Sequence, residues 1–251
     1  MSVSGVVVTH GSHPDLRRCL ESLAPQVDEL VVVANLPLEL ELPPGARLLE
    51  NERPLGFGAN VNRGVAETKG ELVVIANPDT EPAADAVGIL AEFASSGARR
   101  GIVGPQLRYP DGRWQPSRRL FPTVTGTLVR RTPLRYLARP FERQRGHYLL
   151  DERPAEPVQA DWMLAAFLLL RRELLDELRG FDERFRLYGE DIELCYRAAK
   201  AGWERWYVPQ AVVTHRYAAE IDRKLLTRQT LWHWRGMLRF VRKHPERLLA
   251  L

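Results

Sequence analysis

The chain has 251 residues, of which 45% are hydrophobic and 27% charged, and its formal net charge is +4. This length and composition are typical of a soluble protein that buries a sizeable core in one large domain, or in one domain with a small annex. The longest apolar run, residues 162–170, is too short to cross a bilayer, and no secretory signal is visible because the chain opens directly on a strand pattern.

The first half of the chain alternates strand patterns with helix patterns. The predicted strands are residues 5–10, 29–35, 46–51, 71–77 and 100–107. Their near-continuous Val and Ile favour a parallel sheet covered by helices on both faces, so the predicted fold class is α/β. Ligands of such sheets bind at the carboxyl ends of the strands, which places the loops after Val8, Val33, Leu49 and Ala76 on one rim.

Three helices are predicted between these strands. The first begins near Ser12 and Asp15, which have the spacing of a helix cap and its partner. Its apolar positions, spaced three or four residues apart, are Leu16, Cys19, Leu20 and Leu23. The other two helices cover residues 58–70 and 82–96. Cys19 and Cys195 both fall at apolar helix positions, which indicates two buried thiols in a reducing cytoplasm.

The second half of the chain is less regular. Residues 109–157 are rich in Arg and Pro and show no clear period, so we interpret them as a long excursion with a short helix near residues 125–137. The predicted elements beyond it are a strand over 162–172, helices over 172–180 and 191–202, strands over 203–209 and 211–215, and a basic helix over 223–242. The buried face predicted for the second of these helices consists of Ile192, Cys195, Tyr196 and Ala199.

The charge is unevenly distributed along the chain. Residues 108–153 contain 11 Arg and 4 acidic residues, residues 220–247 contain 8 basic and 3 acidic residues, and the remainder is acidic. Two basic segments on an acidic body suggest an anionic partner such as a phosphate group or a membrane surface. The alternative is an ordinary solvated, arginine-rich surface. Nucleic acid is not expected as a partner because no stacking motif of single-strand readers is evident.

The first motif is Asn77-Pro78-Asp79, at the carboxyl end of a predicted core strand. A carboxylate on the ligand rim can hold a divalent cation, which in turn can bind a diphosphate. Pro78 restricts the backbone and therefore the direction of Asp79. The alternative is a simple Pro-Asp turn that leads into the next helix.

Three further features carry possible chemistry. In "RPLGFGANVNRG", residues 53–64, glycines allow close backbone approach before a helix that offers free N–H groups, although a strand-to-helix turn explains them equally well. Glu190 and Asp191 open a helix, where a carboxylate can be a general base or merely a favourable charge at a helix start. His215 ends a strand and is either a metal or phosphate ligand or a structural hydrogen-bonding residue.

Taken in order, the blocks "VVVTH…LRRCLESL", "RPLGFGANVNRG", "VIANPDT", "WMLAAFLLLRRELLDELRGFDERFRLYGEDIELCYR" and "THRYAA" resemble those of the family 2 glycosyltransferases. The resemblance is to the rhamnosyltransferase-like branch and extends from Val6 to about His244. It implies the GT-A fold, which has a Rossmann-like, mostly parallel central sheet with helices on both faces. It also implies a glycosyltransferase domain over residues 1–219, with a nucleotide-sugar half to about 107 and an acceptor half from 108, followed by a basic helical tail over 220–251.

The resemblance further implies a mechanism and a set of site residues. Asp191 would be the base of an inverting transfer, supported by Glu190, and Asp79 with His215 would hold Mg²⁺ or Mn²⁺ on the diphosphate of a dTDP- or UDP-sugar. The residues expected to line the nucleotide-sugar site are Thr9, His10, Asn35, Arg53, Gly56, Asn62, Asn77, Asp79 and Trp162. The expected acceptor is a glycan or lipid-linked hydroxyl in cell-envelope polysaccharide synthesis. The expected location is the cytoplasm, with an anionic membrane surface at the inner face of the plasma membrane as a further partner.

This sequence departs from the family pattern at several positions. The first strand ends in Thr9-His10-Gly11 instead of Thr-Tyr-Asn, and Ala34 removes a carboxylate that often touches the nucleoside. Glu193 and Ala165 stand where Asp and Gly are common. These changes leave the donor open. Two other functions are considered: a sugar nucleotidyltransferase, which needs a basic residue in a loop after the first strand, and a non-catalytic glycan-assembly protein of the same fold, which has no need of both Asp79 and Asp191.

Overall fold

The computed structural model describes residues 1–122, 149, 152–216 and 228–248. The strands within them are β1 Val3–Thr9, β2 Glu29–Ala34, β3 Arg47–Glu50, β4 Leu72–Ala76, β5 Thr80–Pro82, β6 Arg100–Arg108, β7 Trp114–Gln115, β8 Arg118–Arg119, β9 Val158–Gln159, β10 Trp162–Met163, β11 Phe167–Arg171 and β12 Glu204–His215. The helices are α1 Leu16–Leu23, α2 Phe57–Ala66, α3 Ala86–Ser95, α4 Arg172–Leu178, α5 Glu190–Lys200 and α6 Arg228–Lys243. Short 3₁₀ turns follow at Ala24–Gln26 and Pro245–Leu248. The helix predicted near residues 125–137 lies outside the described residues.

A central sheet of ten strands organises the molecule. Its order is β3-β2-β1-β4-β11-β6-β12-β5, with β7 added to β6 and β9 to β12. The pairs β1–β2, β1–β4, β2–β3 and β6–β12 are parallel, which confirms the predicted mostly parallel α/β sheet. Strand β11 is antiparallel to both of its neighbours, β4 and β6. A second, two-stranded sheet pairs β8 with β10.

The sheet is buried on both faces, as its continuous apolar strands predict. Successive residues of β1 belong to different hydrophobic clusters, with Val6 on one face and Val7 on the other. Helices α1 and α3 cover the Val7 face, while α2, α4, α5 and α6 contribute to the Val6 face. The predicted apolar face of α1 is confirmed, since each of its four residues is at most 1% exposed. The predicted Ser12 cap is wrong, because α1 begins at Leu16 with Asp15 at its N-cap position.

The single strand predicted over residues 162–172 is also wrong. The run divides into β10, which pairs with β8, and β11, which belongs to the central sheet. Between them the Leu164 N–H donates to the Ser117 carbonyl (3.1 Å), so the chain bends before it enters the core. In contrast, the two strands predicted over 203–209 and 211–215 form one strand, β12, with a register irregularity between Val208 and Val212.

Helix α6 packs on α5 through a buried ionic cluster. Glu193 is fully buried and accepts hydrogen bonds from Arg197 Nε (2.8 Å to each carboxylate oxygen) and from Lys243 Nζ (2.6 Å). This arrangement corrects the predicted buried face of α5, since Tyr196 and Ala199 are only partly buried while Glu193 is completely covered. A buried carboxylate is tolerated here because two cations compensate its lost hydration.

In the described parts of the chain, no helix combines the length and the apolar character that spanning a membrane requires.

Candidate active site

Parallel pairing brings several strand ends to the same edge of the sheet. Thr9 at the end of β1 lies opposite Ala34 of β2, and Ala76 at the end of β4 lies opposite Val7 of β1. The Asn35 N–H donates to the Thr9 carbonyl (3.0 Å), so the chain leaves the sheet at neighbouring points. The predicted ligand rim is therefore present in the structure.

The motif Asn77-Pro78-Asp79 forms a tight turn at this rim. Thr80 closes the turn by donating from its N–H (3.3 Å) and from its hydroxyl (2.7 Å) to the Asn77 carbonyl. The Asn77 N–H donates to the Ala166 carbonyl (2.8 Å), which anchors the turn to the residue just before β11. The turn thus has the Pro-Asp form considered from the sequence, and it holds Asp79 at a defined position on the rim.

Strand pairing places His215 beside Asp79. Thr80 of β5 lies opposite His215 at the end of β12, and the Arg216 N–H donates to the Asp79 carbonyl (2.9 Å). His215 Nε2 lies 3.5 Å from Asp79 Oδ2. Burial by itself raises the pKa of Asp79, but the hydrogen bond and charge of His215 outweigh burial and hold that pKa below its ordinary value. The Asp79 side chain is therefore an ionised acceptor at neutral pH.

The pair Asp79 and His215 fits a shared cation site. Asp79 Oδ1 is buried and has no hydrogen-bond partner among the described residues. A carboxylate oxygen and an imidazole nitrogen are suitable ligands for Mn²⁺, and the carboxylate suits Mg²⁺ as well. Within residues 1–122, 149, 152–216 and 228–248, no group of three or more His, Cys, Asp or Glu side chains is arranged to hold a metal. A cation here would take its remaining ligands from a diphosphate and from water.

The second carboxylate pair opens α5. Tyr188 and Gly189 both have positive φ, 71° and 95°, so the chain reverses sharply before Glu190. Glu190 is only 6% exposed, and its Oε2 is buried without a partner among the described residues, whereas Asp191 keeps part of its surface accessible. The accessible position of Asp191 is the one from which a carboxylate can reach a substrate.

The environment separates the roles of these two carboxyl groups. Burial raises the pKa of Glu190, and the neighbouring Asp191 charge raises it further. Burial also raises the pKa of Asp191, but the Ile192 N–H donates to its carboxylate (2.8 Å) and, with the nearby backbone N–H of Ala165, lowers the pKa again in part. Because the two charges repel, Glu190 holds a proton more readily and Asp191 carries the negative charge.

Residues Ala165 and Ala166 connect the two halves of the site. Ala166 accepts the hydrogen bond from Asn77, while the backbone N–H of Ala165 lies near the Asp191 carboxylate. Phe167, the next residue, lies opposite Ala76 at the end of β4. The turn that carries Asp79 and the helix start that carries Asp191 therefore meet on either side of one short segment at the same rim.

The glycine block packs against the loop that leads to Asp191. A Cβ atom added at Gly56 would lie 2.8 Å from the Arg186 carbonyl oxygen, and one added at Gly58 would lie 2.9 Å from Phe181 Cβ. The Phe181 N–H donates to Asn62 Oδ1 (2.8 Å), and Asn62 Nδ2 donates back to the Phe181 carbonyl (2.9 Å). Gly56 and Asn62 therefore support the loop that leads to Asp191, and their expected contacts with a nucleotide stay predictions.

Asn35 is also directed into the protein. Its Oδ1 accepts hydrogen bonds from the Leu55 N–H (2.8 Å), Asn51 Nδ2 (2.7 Å) and Asn60 Nδ2 (3.1 Å). Its Nδ2 donates to the Leu55 carbonyl (3.1 Å). Because both its amide oxygen and its amide nitrogen are hydrogen-bonded to protein, Asn35 holds the loop that precedes α2.

The remaining expected nucleotide-sugar residues lie around the rim. Thr9 is buried and donates from Oγ1 to the Gly11 carbonyl (2.5 Å), while His10 and Arg53 are exposed. Trp162 is 8% exposed and donates from Nε1 to the Leu120 carbonyl (2.8 Å), which fixes its indole beside α5. Their contacts with a nucleotide sugar stay predictions.

Two residues of the site had no role assigned from the sequence. The Ala165 backbone lies near the Asp191 carboxylate, which the type of its side chain does not reveal. Gln115 contacts His215 from β7, with Oε1 2.9 Å from Nδ1. A signal for Gln115 does exist in the sequence, because the pair Asp111-Gly112 is typical of a β-hairpin turn. This turn joins β6 to β7, and the pairing of these two strands places Gln115 next to His215.

Comparison with known proteins defines the class to which this fold and site belong. Residues 4–178 match the model of glycosyl transferase family 2. The chain therefore belongs to this family, and it is a glycosyltransferase with the GT-A fold. The family, fold class and type of enzyme expected from the sequence are confirmed.

Three similar proteins illustrate the range of this class. The N-acetylglucosaminyl-diphospho-decaprenol L-rhamnosyltransferase of Mycobacterium tuberculosis is 32% identical over 241 residues, which cover 87% of this chain and 77% of the relative. GalNAc-T7, solved with UDP, GalNAc and Mn²⁺, has a TM-score of 0.70 at 18% identity, and this chain covers 48% of it with 96% of its own length. Glucosyl-3-phosphoglycerate synthase of Mycobacterium tuberculosis, solved with Mn²⁺, UDP and phosphoglyceric acid, has a TM-score of 0.60 at 21% identity, with 95% of this chain and 78% of that chain covered.

The packing of the glycine block leads to a first prediction. Gly56→Ala should displace the loop before Asp191, because the added Cβ meets the Arg186 backbone at 2.8 Å. A misplacement of about 1 Å can cost ~10²-fold in rate, so we expect turnover to fall at least ~10-fold while nucleoside diphosphate affinity stays within roughly threefold. Turnover is measured as released nucleoside diphosphate, and affinity by calorimetry.

Gly88→Ala is the matched control, since a Cβ added at Gly88 in α3 meets no atom within 4 Å. This control should keep full turnover and gain about 0.4–1 kcal/mol of stability. Normal turnover of Gly56→Ala combined with weak nucleotide binding would instead show that the glycine lines the nucleotide.

Proposed function

We propose that this glycosyltransferase moves a sugar from a dTDP- or UDP-sugar to a hydroxyl of a lipid-linked or other glycan acceptor, with inversion at the anomeric carbon. The observation that supports this proposal is the segment Ala165–Ala166, whose Ala166 carbonyl accepts a hydrogen bond from the Asn77 turn and whose Ala165 backbone lies beside the Asp191 carboxylate. A diphosphate bound near Asp79 and a base at Asp191 would then lie on either side of the sugar.

Asp191 acts as the general base in the proposed reaction. Its carboxylate takes the proton of the acceptor hydroxyl while that oxygen attacks C1 of the sugar. The new bond joins the acceptor oxygen to C1, and the bond from C1 to the diphosphate oxygen breaks, so a single displacement inverts the configuration. A base works best when its pKa lies near the working pH, and burial raises the pKa of Asp191 toward that range. Glu190 keeps its own proton and therefore does not add a second negative charge.

Asp79 and His215 would hold the divalent cation, either Mg²⁺ or Mn²⁺. When bound, such a cation supplies positive charge to the departing nucleoside diphosphate. The ionised state of Asp79 supports this assignment, as does its Oδ1, which has no hydrogen-bond partner in the described parts of the chain. The metals in the solved complexes of GalNAc-T7 and glucosyl-3-phosphoglycerate synthase are of the same kind.

The mycobacterial relative suggests which substrates to try first. Its name specifies the transfer of L-rhamnose to an N-acetylglucosaminyl diphosphate carried on decaprenol. We therefore propose a rhamnosyl or hexosyl donor and a polyprenyl diphosphate acceptor, in cell-envelope polysaccharide synthesis. A screen of nucleotide sugars with Mn²⁺, with release of nucleoside diphosphate as the readout, tests the donor directly.

The C-terminal helix offers a surface for that lipid environment. Met237 and Phe240 of α6 are buried against the core, whereas Leu231 and Leu238, seven residues apart on another face, are each 50% exposed. The exposed basic residues of the helix include Arg235, Arg239 and Arg242. Exposed leucines interleaved with arginines are typical of helices that lie in a membrane interface. We propose that this face binds an anionic membrane and holds the enzyme, cytoplasmic and peripheral, at the inner face of the plasma membrane.

The metal assignment makes a second prediction. Mn²⁺ should tighten the binding of the selected nucleoside diphosphate by at least ~10-fold, which corresponds to ~1.4 kcal/mol, and Asp79→Ala should abolish this gain. Asp85→Ala, an exposed aspartate at the start of α3, is the matched control and should retain the gain. Calorimetry that finds equal affinity with and without metal in the parent protein would refute the assignment.

A third prediction concerns the base. Asp191→Asn keeps the size of the side chain but cannot accept the proton, and general-base catalysis contributes ~10²–10⁴-fold, so turnover should fall by that factor. Donor affinity should stay within roughly threefold because Asp79 is unchanged. The test measures turnover, donor affinity and melting temperature together on Asp191→Asn and on Glu190→Gln, which should lose less.

The pH profile gives an independent check of the same assignment. Protonation removes the base, so parent turnover should fall as the pH drops through the raised pKa of Asp191, well above the ordinary Asp value of about 3.9. This acidic limb should be missing from the residual activity of Asp191→Asn. Normal turnover of Asp191→Asn, or a complete loss confined to Glu190→Gln, would show that the base is assigned incorrectly.

The fourth prediction concerns the membrane face. The double variant Leu231→Glu/Leu238→Glu should lose binding to phosphatidylglycerol vesicles by ~10-fold or more, since burying one leucine contributes about 1.5–3 kcal/mol. High salt should release the parent protein because screening weakens the attraction of the arginines. Leu36→Glu is the control for a general effect of added negative charge on vesicle binding, because Leu36 follows β2 and is similarly exposed (43%). Co-sedimentation with equal binding of all three proteins would exclude this face as the anchor.

A further inference from the structure

A buried glutamine outside the motif blocks contacts the proposed metal ligand. Gln115 is 3% exposed and lies on β7, opposite Leu107 of β6. Its Oε1 is 2.9 Å from His215 Nδ1. The preceding residue fixes this strand, because Trp114 donates from its indole N–H to the Tyr207 hydroxyl (3.3 Å). The glutamine oxygen is therefore presented to His215 from a well-anchored position.

This contact determines which nitrogen of the ring carries hydrogen. An amide oxygen can only accept, so His215 must donate from Nδ1. In the neutral ring, Nε2 then has a lone pair, and the hydrogen bond made by one nitrogen decides which nitrogen can bind a metal. Nε2 lies 3.5 Å from Asp79 Oδ2, so its lone pair and the carboxylate can bind one cation, which would take the place of the hydrogen bond between these two side chains.

We propose that Gln115 is a positioning residue that holds His215 in its Nδ1–H form and directs Nε2, together with Asp79, at the divalent cation. This inference rests on the proposed function, since it concerns the same cation. Partners of this kind orient metal-binding histidines, and their loss typically costs 10–100-fold in metal affinity or activity. Gln115 touches neither the sugar nor the diphosphate in this scheme and acts through His215 alone.

A purely structural role makes a different prediction. If Gln115 only satisfies a buried ring, an apolar replacement lowers the melting temperature and leaves metal affinity unchanged. If Gln115 positions the ring, the loss appears in metal affinity, and a replacement that still accepts from Nδ1 restores it. Gln115→Met keeps the length of the side chain without an acceptor, and Gln115→Glu keeps an acceptor, so the two variants separate these roles.

The experiment uses the full chain with ¹⁵N-labelled histidine. Long-range ¹H–¹⁵N spectra report the protonated nitrogen of each neutral ring, and His215→Asn identifies the signal of His215. Spectra are recorded with and without Mg²⁺ and UDP or dTDP, whichever nucleotide the donor screen selects. Mn²⁺ affinity in the presence of that nucleotide is measured by electron paramagnetic resonance, and each variant is checked by its melting temperature.

We expect the Nδ1–H form in the parent protein and in Gln115→Glu, and its loss in Gln115→Met. Mn²⁺ affinity should fall ~10–100-fold in Gln115→Met and stay within roughly threefold of the parent in Gln115→Glu. An Nε2–H ring in the parent, or parent-like affinity in Gln115→Met, overturns the inference. If Gln115→Met does not fold, Gln115→Leu replaces it. The spectrum of the parent protein tests the Nδ1–H form of His215 whether or not these variants fold.

Failure of the proposed function has a different signature. If the parent protein and Asp79→Ala bind Mn²⁺ equally weakly, the cation does not belong at this site, whatever form His215 takes. If Asp79→Ala loses the cation and Gln115→Met keeps it, the metal site stands and only the role of Gln115 is refuted.

Discussion

The antiparallel strand β11 is the constraint on which the rest of the site depends. It lies between β4 and β6, which run parallel to each other, so its amino end reaches the edge where their carboxyl ends lie. The segment before it is therefore close to both carboxylates: Ala166 accepts a hydrogen bond from the Asn77 turn, and the Ala165 backbone lies near Asp191. Residues Phe167–Leu170 are at most 1% exposed, and burial on both faces opposes any slip in register.

A second layer of contacts holds the base in place from the other side. The loop before α5 packs on Gly56 and Gly58, and Asn62 is hydrogen-bonded to its backbone at Phe181. On the opposite flank, Gly236 of α6 lies so close that an added Cβ would clash with the Tyr188 carbonyl oxygen. A carboxylate whose pKa is raised by burial needs such support, because small displacements would let water restore its ordinary acidity.

The basic C-terminal helix shows how one element can have two roles. The sequence allowed α6 either to pack on the core or to meet a membrane. The structure shows the packing, through Phe240 and through the ionic cluster of Glu193 and Lys243. Leu231 and Leu238 remain exposed on another face, so core packing and the proposed membrane contact do not compete for the same residues.

The sequence by itself determined the family and the α/β sheet, and it predicted Asp79 and Asp191 as the carboxylates of the site. Strands such as β4 are apolar throughout because both faces are covered, and the order of five motif blocks is specific. The sequence did not reveal the bend at Leu164 that ends β10. Residues 162–170 are continuously apolar, and nothing in such a run indicates that its first residues pair with β8, about 45 residues earlier in the chain.

Only the tertiary structure decided what the polar side chains touch. Asn35 and Asn62 have the residue type and position of ligands, yet both are hydrogen-bonded to protein, while Gln115 reaches His215 from 100 residues away. The physical reason is that a hydrogen bond forms only within a narrow range of donor–acceptor distance and of bond angle. Long-range packing sets both, whereas the spacing of residues along the chain sets neither.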